Sequence, residues 1–325
     1  MSDPSATPDL QRSRGIDVLK ERSYGGFFVA CALITVLTTI AIFLTLLSDA
    51  TAFFSAYPIS DFLFGTTWSP NPRGQHGYVF GILPLVIGMF TVTAMAALVA
   101  LPIGTLTAIY LSEYASPRVR SILKPMLEIL AGIPTVVYGY FALVYVTPAL
   151  QATLFPSLKT FNALSASLMI GIMIIPMVSS ISEDAMSAVP DELRQAGYGL
   201  GATKYEVSTQ VVLPAALSGI VSSYILAISR AIGETMILAV AMGSQATFPP
   251  VHRGVAGVPY IHPGDVLLEP GMTITTAMVN IAGGDLTGGS LPYDSMFALG
   301  LVLFVATFIL NVISDLIAER YREVY

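Results

Sequence analysis

Arg230 and Glu234 are the two charged residues of an otherwise uncharged run, Val211–Gly243. They are four residues apart, so a continuous helix would place both on one face. If such a run crosses a membrane, an ionisable side chain in it is costly and usually faces a cavity or a partner. The guanidinium has a planar fork of donors that fits oxyanions and carboxylates. The pair indicates either an anion pathway, in which Glu234 holds the arginine or repels the anion, or a structural ion pair between helices.

A second group of polar residues forms a long polar stretch between apolar runs, Glu183–Pro214. Pro190 suits a helix start, and Asp191 and Glu192 follow in the first turn, where the helix dipole favours acids. Four residues then recur with helical spacing and form one apolar face of mostly small side chains: Leu193, Ala196, Gly197 and Leu200. Gly199 and Gly201 are expected to end the helix. Such a helix fits a groove in a partner protein or packs on this chain itself, and the spacing supports both equally.

Several kinds of chemistry have no residues to support them. No Gly-Lys-Ser/Thr nucleotide loop exists, because the lysines follow Leu or Thr: Lys20, Lys124, Lys159 and Lys204. His76, His252 and His262 have no ligand spacing, and Cys31 is the one cysteine. We therefore expect no catalytic residue, metal, cofactor or nucleic-acid partner. Energy for uphill movement would come from another chain or from an ion gradient.

The composition excludes an ordinary soluble domain. Of the 325 residues, 54% are hydrophobic and 11% are charged, against roughly 25% charged in soluble domains, and mean hydropathy is +0.73. Uncharged runs reach the roughly 20 residues that a helix needs to cross a bilayer. We therefore predict an all-α, polytopic membrane protein. One membrane domain, residues 25–318, would lie between polar tails at 1–24 and 319–325.

Six runs are predicted to cross the membrane as helices: about 25–47, 79–111, 125–147, 161–182, 211–243 and 291–313. Pro84 and Pro102 are expected to break, kink or shorten the second span. Ser112–Lys124 is predicted to be a basic turn, and Met272–Ala282 a short helix that lies on the membrane or dips into it. The polar loop at 183–210 would separate the fourth and fifth spans.

The basic residues orient these spans. Eleven fall on one side: Arg12, Arg14, Lys20, Arg22, Arg118, Arg120, Lys124, Arg194, Lys204, Arg320 and Arg322. Arg73, Lys159 and Arg253 fall on the other, and Arg230 lies within a span. Because cytoplasmic loops are enriched in Lys and Arg, this bias places both termini and the polar loop in the cytoplasm.

The polar loop resembles the coupling loop of ABC importer permeases. That consensus is Glu-Ala-Ala, three residues, Gly, nine residues, Ile-x-Leu-Pro. The same spacing is found here at seven positions of the sequence: Gln195-Ala196-Gly197, Gly201, Val211, Leu213 and Pro214. Gln195 replaces the usual acid and Gly197 an alanine. The resemblance implies a type I importer permease fold with a core at about 75–317. It also implies that residues 183–210 carry the helix that docks in a cleft of an ATP-binding ATPase subunit.

Four further segments resemble the C-type permease subunit of phosphate-specific importers: Thr67–Pro72, Leu101–Ala115, Glu128–Tyr140 and Ser229–Met236. The resemblance implies import of inorganic phosphate across a bacterial plasma (inner) membrane, with Arg230 and Glu234 in the substrate pathway. The implied partners are a homologous A-type permease, ATPase subunits, and a periplasmic or extracellular phosphate-binding protein. This chain itself would do no bond chemistry.

Two alternatives stay open. A permease for another oxyanion, such as molybdate, sulfate or phosphonate, would share these features. A carrier or channel driven by an ion gradient would transport without an ATPase, and it leaves the spacing of the coupling-loop motif unexplained.

Overall fold

The computed structural model describes residues 14–70, 77–253, 258–284 and 288–320. The chain divides into two compact units, residues 1–49 and 50–325. Helix α1 (Arg14–Ala56) runs through most of the first unit and into the second. Its residues 20–45 are all exposed, although the helix is strongly apolar. A long apolar helix without a buried face is typical of contact with lipid.

Five helices in the described part of the chain are long and apolar enough to cross a membrane: Lys20–Ala56, Leu83–Tyr114, Thr135–Thr153, Ala163–Ser187 and Leu291–Ile313. A sixth is present if the bent pair Lys204–Ala215 and Leu217–Ile232, which meet at 69°, counts as one span. This agrees with the predicted polytopic, all-α protein.

The second unit begins with short elements and then the central helices. After α1 the elements are α2 (Ile59–Phe64), β1 (Trp68–Ser69), β2 (Val79–Phe80), α3 (Leu83–Ile109), a π-helical turn π1 (Tyr110–Tyr114), α4 (Pro117–Gly132), α5 (Thr135–Phe141), π2 (Ala142–Val146), α6 (Thr147–Thr153) and α7 (Ala163–Ser187). Strands β1 and β2 pair in antiparallel fashion, with Trp68 opposite Phe80.

The remaining elements contain the polar loop and the last spans. They are α8 (Asp191–Gly199), α9 (Lys204–Val207), π3 (Ser208–Val212), α10 (Leu213–Ala215), α11 (Leu217–Ile232), α12 (Met236–Ala241), β3 (Val251–Arg253), β4 (Pro259–Ile261), α13 (Pro263–Leu267), α14 (Ile274–Ala282) and α15 (Leu291–Arg320). Strands β3 and β4 form a second antiparallel pair.

Several helices extend further into polar sequence than predicted. Helix α1 begins at Arg14, inside the predicted tail, and ends at Ala56 rather than near residue 47. Helix α7 continues to Ser187, so Glu183 lies in a helix and not in the predicted loop. Helix α15 reaches Arg320. Charged residues end a membrane crossing, but they do not end a helix. Residues 1–13 and 321–325 of the predicted tails lie outside the described residues.

The second span agrees better with its prediction. It begins at Leu83, with Pro84 in the first turn, where a proline costs no hydrogen bond. Pro102 lies inside α3 without ending it, and π1 then carries the helical path to Tyr114. The crossing helix, Leu83–Tyr114, is 32 residues long, so the two prolines do not shorten the predicted span appreciably.

The third predicted span, 125–147, is wrong at its start. The predicted basic turn and the first part of this span form one helix, α4, which ends at Gly132. The hydroxyl of Ser116 accepts a hydrogen bond from Val119 N and caps it. The membrane-length helix begins after Pro134, at Thr135, and continues to Thr153. The absence of acids and bases after Glu128 concealed the break.

The fifth predicted span, 211–243, is not one helix. It bends by 69° at Ala216, and it breaks again between Ile232 and Met236. Pro214 precedes the bend and Gly233 lies in the break. Such interruptions are tolerated where neighbouring elements satisfy the freed backbone groups.

Helices α3 and α7 pack along each other more extensively than any other pair of described elements. Two glycines allow the close approach. A Cβ atom at Gly104 would lie 2.7 Å from Val178 Cβ, and one at Gly171 would lie 3.1 Å from Ala96 O. Small residues at helix contacts are usual in membranes. The α3–α7 pair is therefore the rigid centre to which the other elements attach.

The predicted short helix at Met272–Ala282 forms as α14, but it does not lie on the surface. Ile274, Ala277 and Ile281 are buried in an apolar cluster together with Phe53 and Phe80. The hydroxyl of Thr273 accepts from Thr276 N and begins the helix. Helix α14 is thus an internal support for α15 rather than a membrane-surface element.

Candidate functional site

Helix α8 forms within the polar loop, close to its predicted bounds. Pro190 precedes its first residue, and Asp191 and Glu192 lie in the first turn. The helix ends at Gly199 and is followed by Leu200. Gly201 then adopts a φ of +85°, a left-handed conformation that favours glycine. The start and stop predicted from the residue types are therefore confirmed.

The predicted apolar face of α8 divides into two. Leu193 packs against an apolar cluster of this chain, and a Cβ at Gly197 would lie 3.0 Å from Val207 Cγ2. Ala196 is exposed, and Leu200 is 91% exposed. One side of the helix is thus seated on the protein while the other remains open.

The open side of α8 combines acids, amides and apolar groups. We call it the α8 surface, and it consists of the exposed residues Asp191, Glu192, Gln195, Ala196, Tyr198, Gly199 and Leu200. Tyr198 is 44% exposed. An exposed tyrosine and leucine suit the centre of a surface that binds another protein, and the acids suit its polar rim.

Leu213 and Pro214 lie where the chain returns from the polar loop to the bundle. Thr203 and Glu206 form a reciprocal capping box that begins α9. Leu213 then starts α10, packs against the same apolar cluster as Leu193, and is followed by the 69° bend. The Leu-Pro pair therefore marks a change of direction, since proline lacks the N–H that a continuous helix would use.

Arg194 anchors α8 to two other elements, and sequence reasoning missed this role. Its Nη2 donates to Glu113 Oε1 at 3.1 Å and to Met186 O at 2.8 Å. Its Nη1 donates to Val189 O at 2.5 Å and to Asp191 Oδ1 at 3.3 Å. The arginine and glutamate side chains are 15% and 5% exposed. One guanidinium thus joins π1, the end of α7 and α8.

Arg230 lies in the last turn of α11 and borders a cavity of about 320 Å³. Lys124, Glu128, Pro176 and Glu183 line the same cavity. Among the described residues, none accepts a hydrogen bond from the Arg230 guanidinium or pairs with it. An exposed arginine beside a cavity can meet an anion without first losing a partner.

Glu234 does not share a helical face with Arg230, contrary to the prediction, because α11 ends at Ile232. Its carboxylate instead accepts the N–H groups of Met236 at 3.0 Å and Ile237 at 3.2 Å. The residue is 8% exposed. Glu234 therefore caps α12, and within the described chain it forms no ion pair with Arg230.

A buried carboxylate, Glu183, joins α4 to α7. It is fully buried and accepts hydrogen bonds from Arg120 Nη2 and from Lys124 Nζ at 2.8 Å. Ser187 Oγ donates to it at 3.2 Å, and Lys124 also reaches Asp184 at 3.0 Å. The hydrogen bond to Glu183, and then that to Asp184, raise the pKa of Lys124 above its usual 10.5. Lys124 is thus charged but already neutralised, which leaves Arg230 as the available cation of the cavity.

No group of three or more metal-ligating side chains exists in the part of the chain that the structure describes. His252 and His262 lie near each other at the β3–β4 pair, where His252 Nε2 is 2.6 Å from Asp265 Oδ2. His76 lies outside the described residues.

Comparison with known proteins gives one family and several relatives. The family model described as "Binding-protein-dependent transport system inner membrane component" matches residues 100–323. The probable ABC transporter permease protein YqgH of Bacillus subtilis (strain 168) is 30% identical over 315 residues, which cover 96% of this chain and 94% of that protein. The phosphate transport system permease protein PstC of Mesorhizobium japonicum is 31% identical over 277 residues, 80% and 79% of the two chains.

The fold is shared with solved ABC transporter structures. A chain from the crystal structure of a bacterial alginate ABC transporter, in complex with an alginate pentasaccharide-bound periplasmic protein, superposes with a TM-score of 0.59. It covers 93% of this chain and 96% of its own length at 14% identity. At that identity the likeness concerns the arrangement of helices alone.

Proposed function

The chain belongs to the family of binding-protein-dependent transport system inner membrane components, and from that membership we propose that it is a permease subunit of an ATP-driven importer of inorganic phosphate. It is a multi-pass membrane protein with the all-α fold of type I ABC importer permeases. In the proposal it forms half of the translocation pathway, and a separate ATPase subunit hydrolyses ATP.

One observation carries this proposal furthest: the loop that bears the coupling motif folds as a helix with one seated side and one open side. Leu193 and Gly197 contact this chain, while Leu200 projects outward. A helix with one side packed against its own chain and the other side exposed is suited to dock in a groove of a partner protein. The ATPase is the occupant that family membership supplies.

The α8 surface also suggests what the ATPase groove contains. Gln195 has no charge at the position where the family usually has an acid. Asp191 and Glu192 are exposed in the first turn, where they can meet basic groups of the partner. We therefore place the charge complementarity of this interface at the start of α8.

The proposed cargo rests on the named relatives and on Arg230. Phosphate transport permeases match most of this chain, and Arg230 borders a cavity far larger than one phosphate ion. A guanidinium offers paired donors to two phosphate oxygens. Glu234 enters the pathway indirectly, because its carboxylate fixes the start of α12 just beyond the helix that carries Arg230.

The mechanism that we propose is alternating access. ATP binding closes the paired ATPases, α8 moves with them, and the spans reopen to the other side of the membrane. A homologous A-type permease would complete the pathway, and a periplasmic or extracellular phosphate-binding protein would deliver the anion to the outer loops.

The orientation that we propose has both termini and α8 in the cytoplasm of a bacterial cell, with the spans in its plasma membrane. The contacts support the placement of these basic residues at the same end of the helices, since Arg194 binds Glu113 and Lys124 binds Glu183. The positive-inside bias assigns that end to the cytoplasm.

Co-purification tests this assignment. An ATPase with a Walker motif should come down with the wild-type chain and be lost when residues 193–200 are replaced by a glycine-serine linker. Transport without any ATPase would favour a carrier driven by an ion gradient. Competition of phosphate uptake by molybdate, sulfate or phosphonate separates the phosphate permease from one for another oxyanion.

A further inference from the structure

Arg194 is the residue through which α8 is held to two spans of the bundle. We propose that it is the positioning residue that makes α8 move as one body with the ends of α3 and α7, so that displacement of α8 opens or closes the cavity at Arg230. This inference rests on the proposed function, because it assumes that an ATPase displaces α8.

The contacts of Arg194 show why one side chain can do this. Glu113 belongs to π1, which directly extends α3, and it also accepts from Ser112 Oγ at 3.0 Å. Met186 O belongs to the last turn of α7, and Val189 O to the link between α7 and α8. A guanidinium has five donors in a rigid fork, so it can hold several acceptors at fixed angles, which an ammonium group cannot.

Apolar contacts alone would hold α8 in place but would not fix its orientation. Leu193 and Gly197 seat the helix on an apolar cluster, and such contacts are non-directional. A nine-residue helix is also too short to be stable by itself in water. The ion pair between Arg194 and Glu113 is nearly buried, so solvent screens it less than a surface pair.

The two helices that Arg194 contacts, α7 and the π-helical extension of α3, connect α8 to the cavity that Arg230 borders. Helix α3 packs extensively against α7, and α7 contributes Pro176 and Glu183 to the lining of the cavity that Arg230 borders. The π-helical turn at Glu113 is of a kind that often lies at functional sites. A continuous set of contacts, from Arg194 through α3 and α7, can therefore transmit a displacement of α8 to the cavity.

The test measures coupling in the assembled importer, with both permeases, the ATPases and the binding protein in proteoliposomes. The variants are Arg194→Gln, Glu113→Gln and the double variant, and the control is Arg118→Gln, which removes an exposed arginine from α4. Each sample is assayed for ATPase co-purification, ATP hydrolysis and uptake of radiolabelled phosphate.

We expect each single variant to keep ATPase binding and hydrolysis within about twofold, while phosphate moved per ATP falls about tenfold, the size of a typical coupling between sites. The KM for phosphate should not change. The double variant should be no worse than the more affected single variant, because both residues act through one contact. Arg194→Lys should recover part of the coupling, and Arg118→Gln should behave as wild type.

Two results would overturn the inference: a wild-type ratio of phosphate to ATP in both single variants, or hydrolysis and uptake that fall in parallel, as a merely structural role predicts. If Arg194→Gln does not assemble, Glu113→Gln decides, because Arg194 would keep its bonds to Met186 and Val189. Failure of the proposed function is distinguishable, because it appears as wild-type uptake that does not need ATP.

Discussion

Arg230 and Glu234 are four residues apart, yet they face different surroundings. The arginine ends α11 and borders a cavity, whereas the glutamate lies past that helix and caps α12 through Met236 N and Ile237 N. No salt bridge joins them in the described chain. Because their contacts do not overlap, substitutions at the two positions should have separable effects.

Replacing Arg230 with Gln should reduce phosphate uptake without reducing the amount of protein in the membrane. A hydrogen bond to a charged group is worth about 1.5–3 kcal/mol, which corresponds to a loss of roughly 10- to 150-fold. Uptake of radiolabelled phosphate at matched expression is the measurement. Arg118→Gln is the control, since it removes the same charge from an exposed position on α4. Wild-type uptake by Arg230→Gln would remove this residue from the pathway.

Glu234 should matter for stability more than for charge. An amide oxygen can still accept the two N–H groups, so Glu234→Gln should lower stability only slightly and keep uptake within about threefold. Glu234→Ala leaves α12 without its cap and should cost about 1 kcal/mol. Thermal unfolding in detergent compares the two variants. If Glu234→Gln abolishes uptake at unchanged stability, the carboxylate charge itself acts on the anion.

The α8 surface should bind the ATPase through Leu200. Because this side chain is 91% exposed, Leu200→Ser should change the stability of the permease by less than about 0.5 kcal/mol. It should nevertheless weaken ATPase co-purification about tenfold, since a buried leucine at an interface is worth about 1.5–3 kcal/mol. Leu154→Ser is the matched control, because Leu154 is 68% exposed but lies just past the end of α6. Equal ATPase recovery with both variants would place the interface elsewhere.

Glu183 should be a stability residue of the α4–α7 contact. Its carboxylate is fully buried, while Arg120 and Lys124 stay partly exposed, so Glu183→Gln should cost about 1–3 kcal/mol. Detergent thermal unfolding measures this, with Glu192→Gln, the same change at an exposed residue of α8, as the control.

The pH dependence of that contact has a definite sign. The pKa of Lys124 is raised in the folded protein, so its contribution is fully present below 10.5 and is lost as pH rises through the raised value. Glu183→Gln should therefore destabilise the protein equally at pH 6 and pH 9. A cost that disappears at pH 9 would contradict the assignment.

The sequence predicted six spans, and the described chain has five candidate spans, or six if the bent pair counts as one. Uncharged runs reveal such spans because charges are costly in a bilayer. The helix boundaries were predicted less accurately than the spans, since helices such as α7 continue past their first charged residue. The break before Thr135 has a local signal in Gly132 and Pro134, which is equally compatible with close helix packing, and the bend at Ala216 could not be predicted from an uncharged run. Neighbouring elements decide whether the freed backbone groups find partners.

The candidate site also has a part that local sequence predicts and a part that depends on long-range contacts. Local signals predicted α8, because Pro190, the first-turn acids and Gly201 act within a few residues of one another. The sequence did not show which residues pair across the chain to hold α4, α7 and α8 in place. Glu113 is 81 residues from Arg194, and Arg120 is 63 from Glu183. Only the packing of α3, α4 and α7 brings those partners together.

The most direct test of the central claim is phosphate uptake by proteoliposomes that contain this chain with its partner permease, the ATPases and the binding protein. Uptake should need ATP on the side of the ATPase, persist when ion gradients are dissipated, and fall in Arg230→Gln. Uptake that continues without ATP and stops when an ion gradient is dissipated would contradict the account.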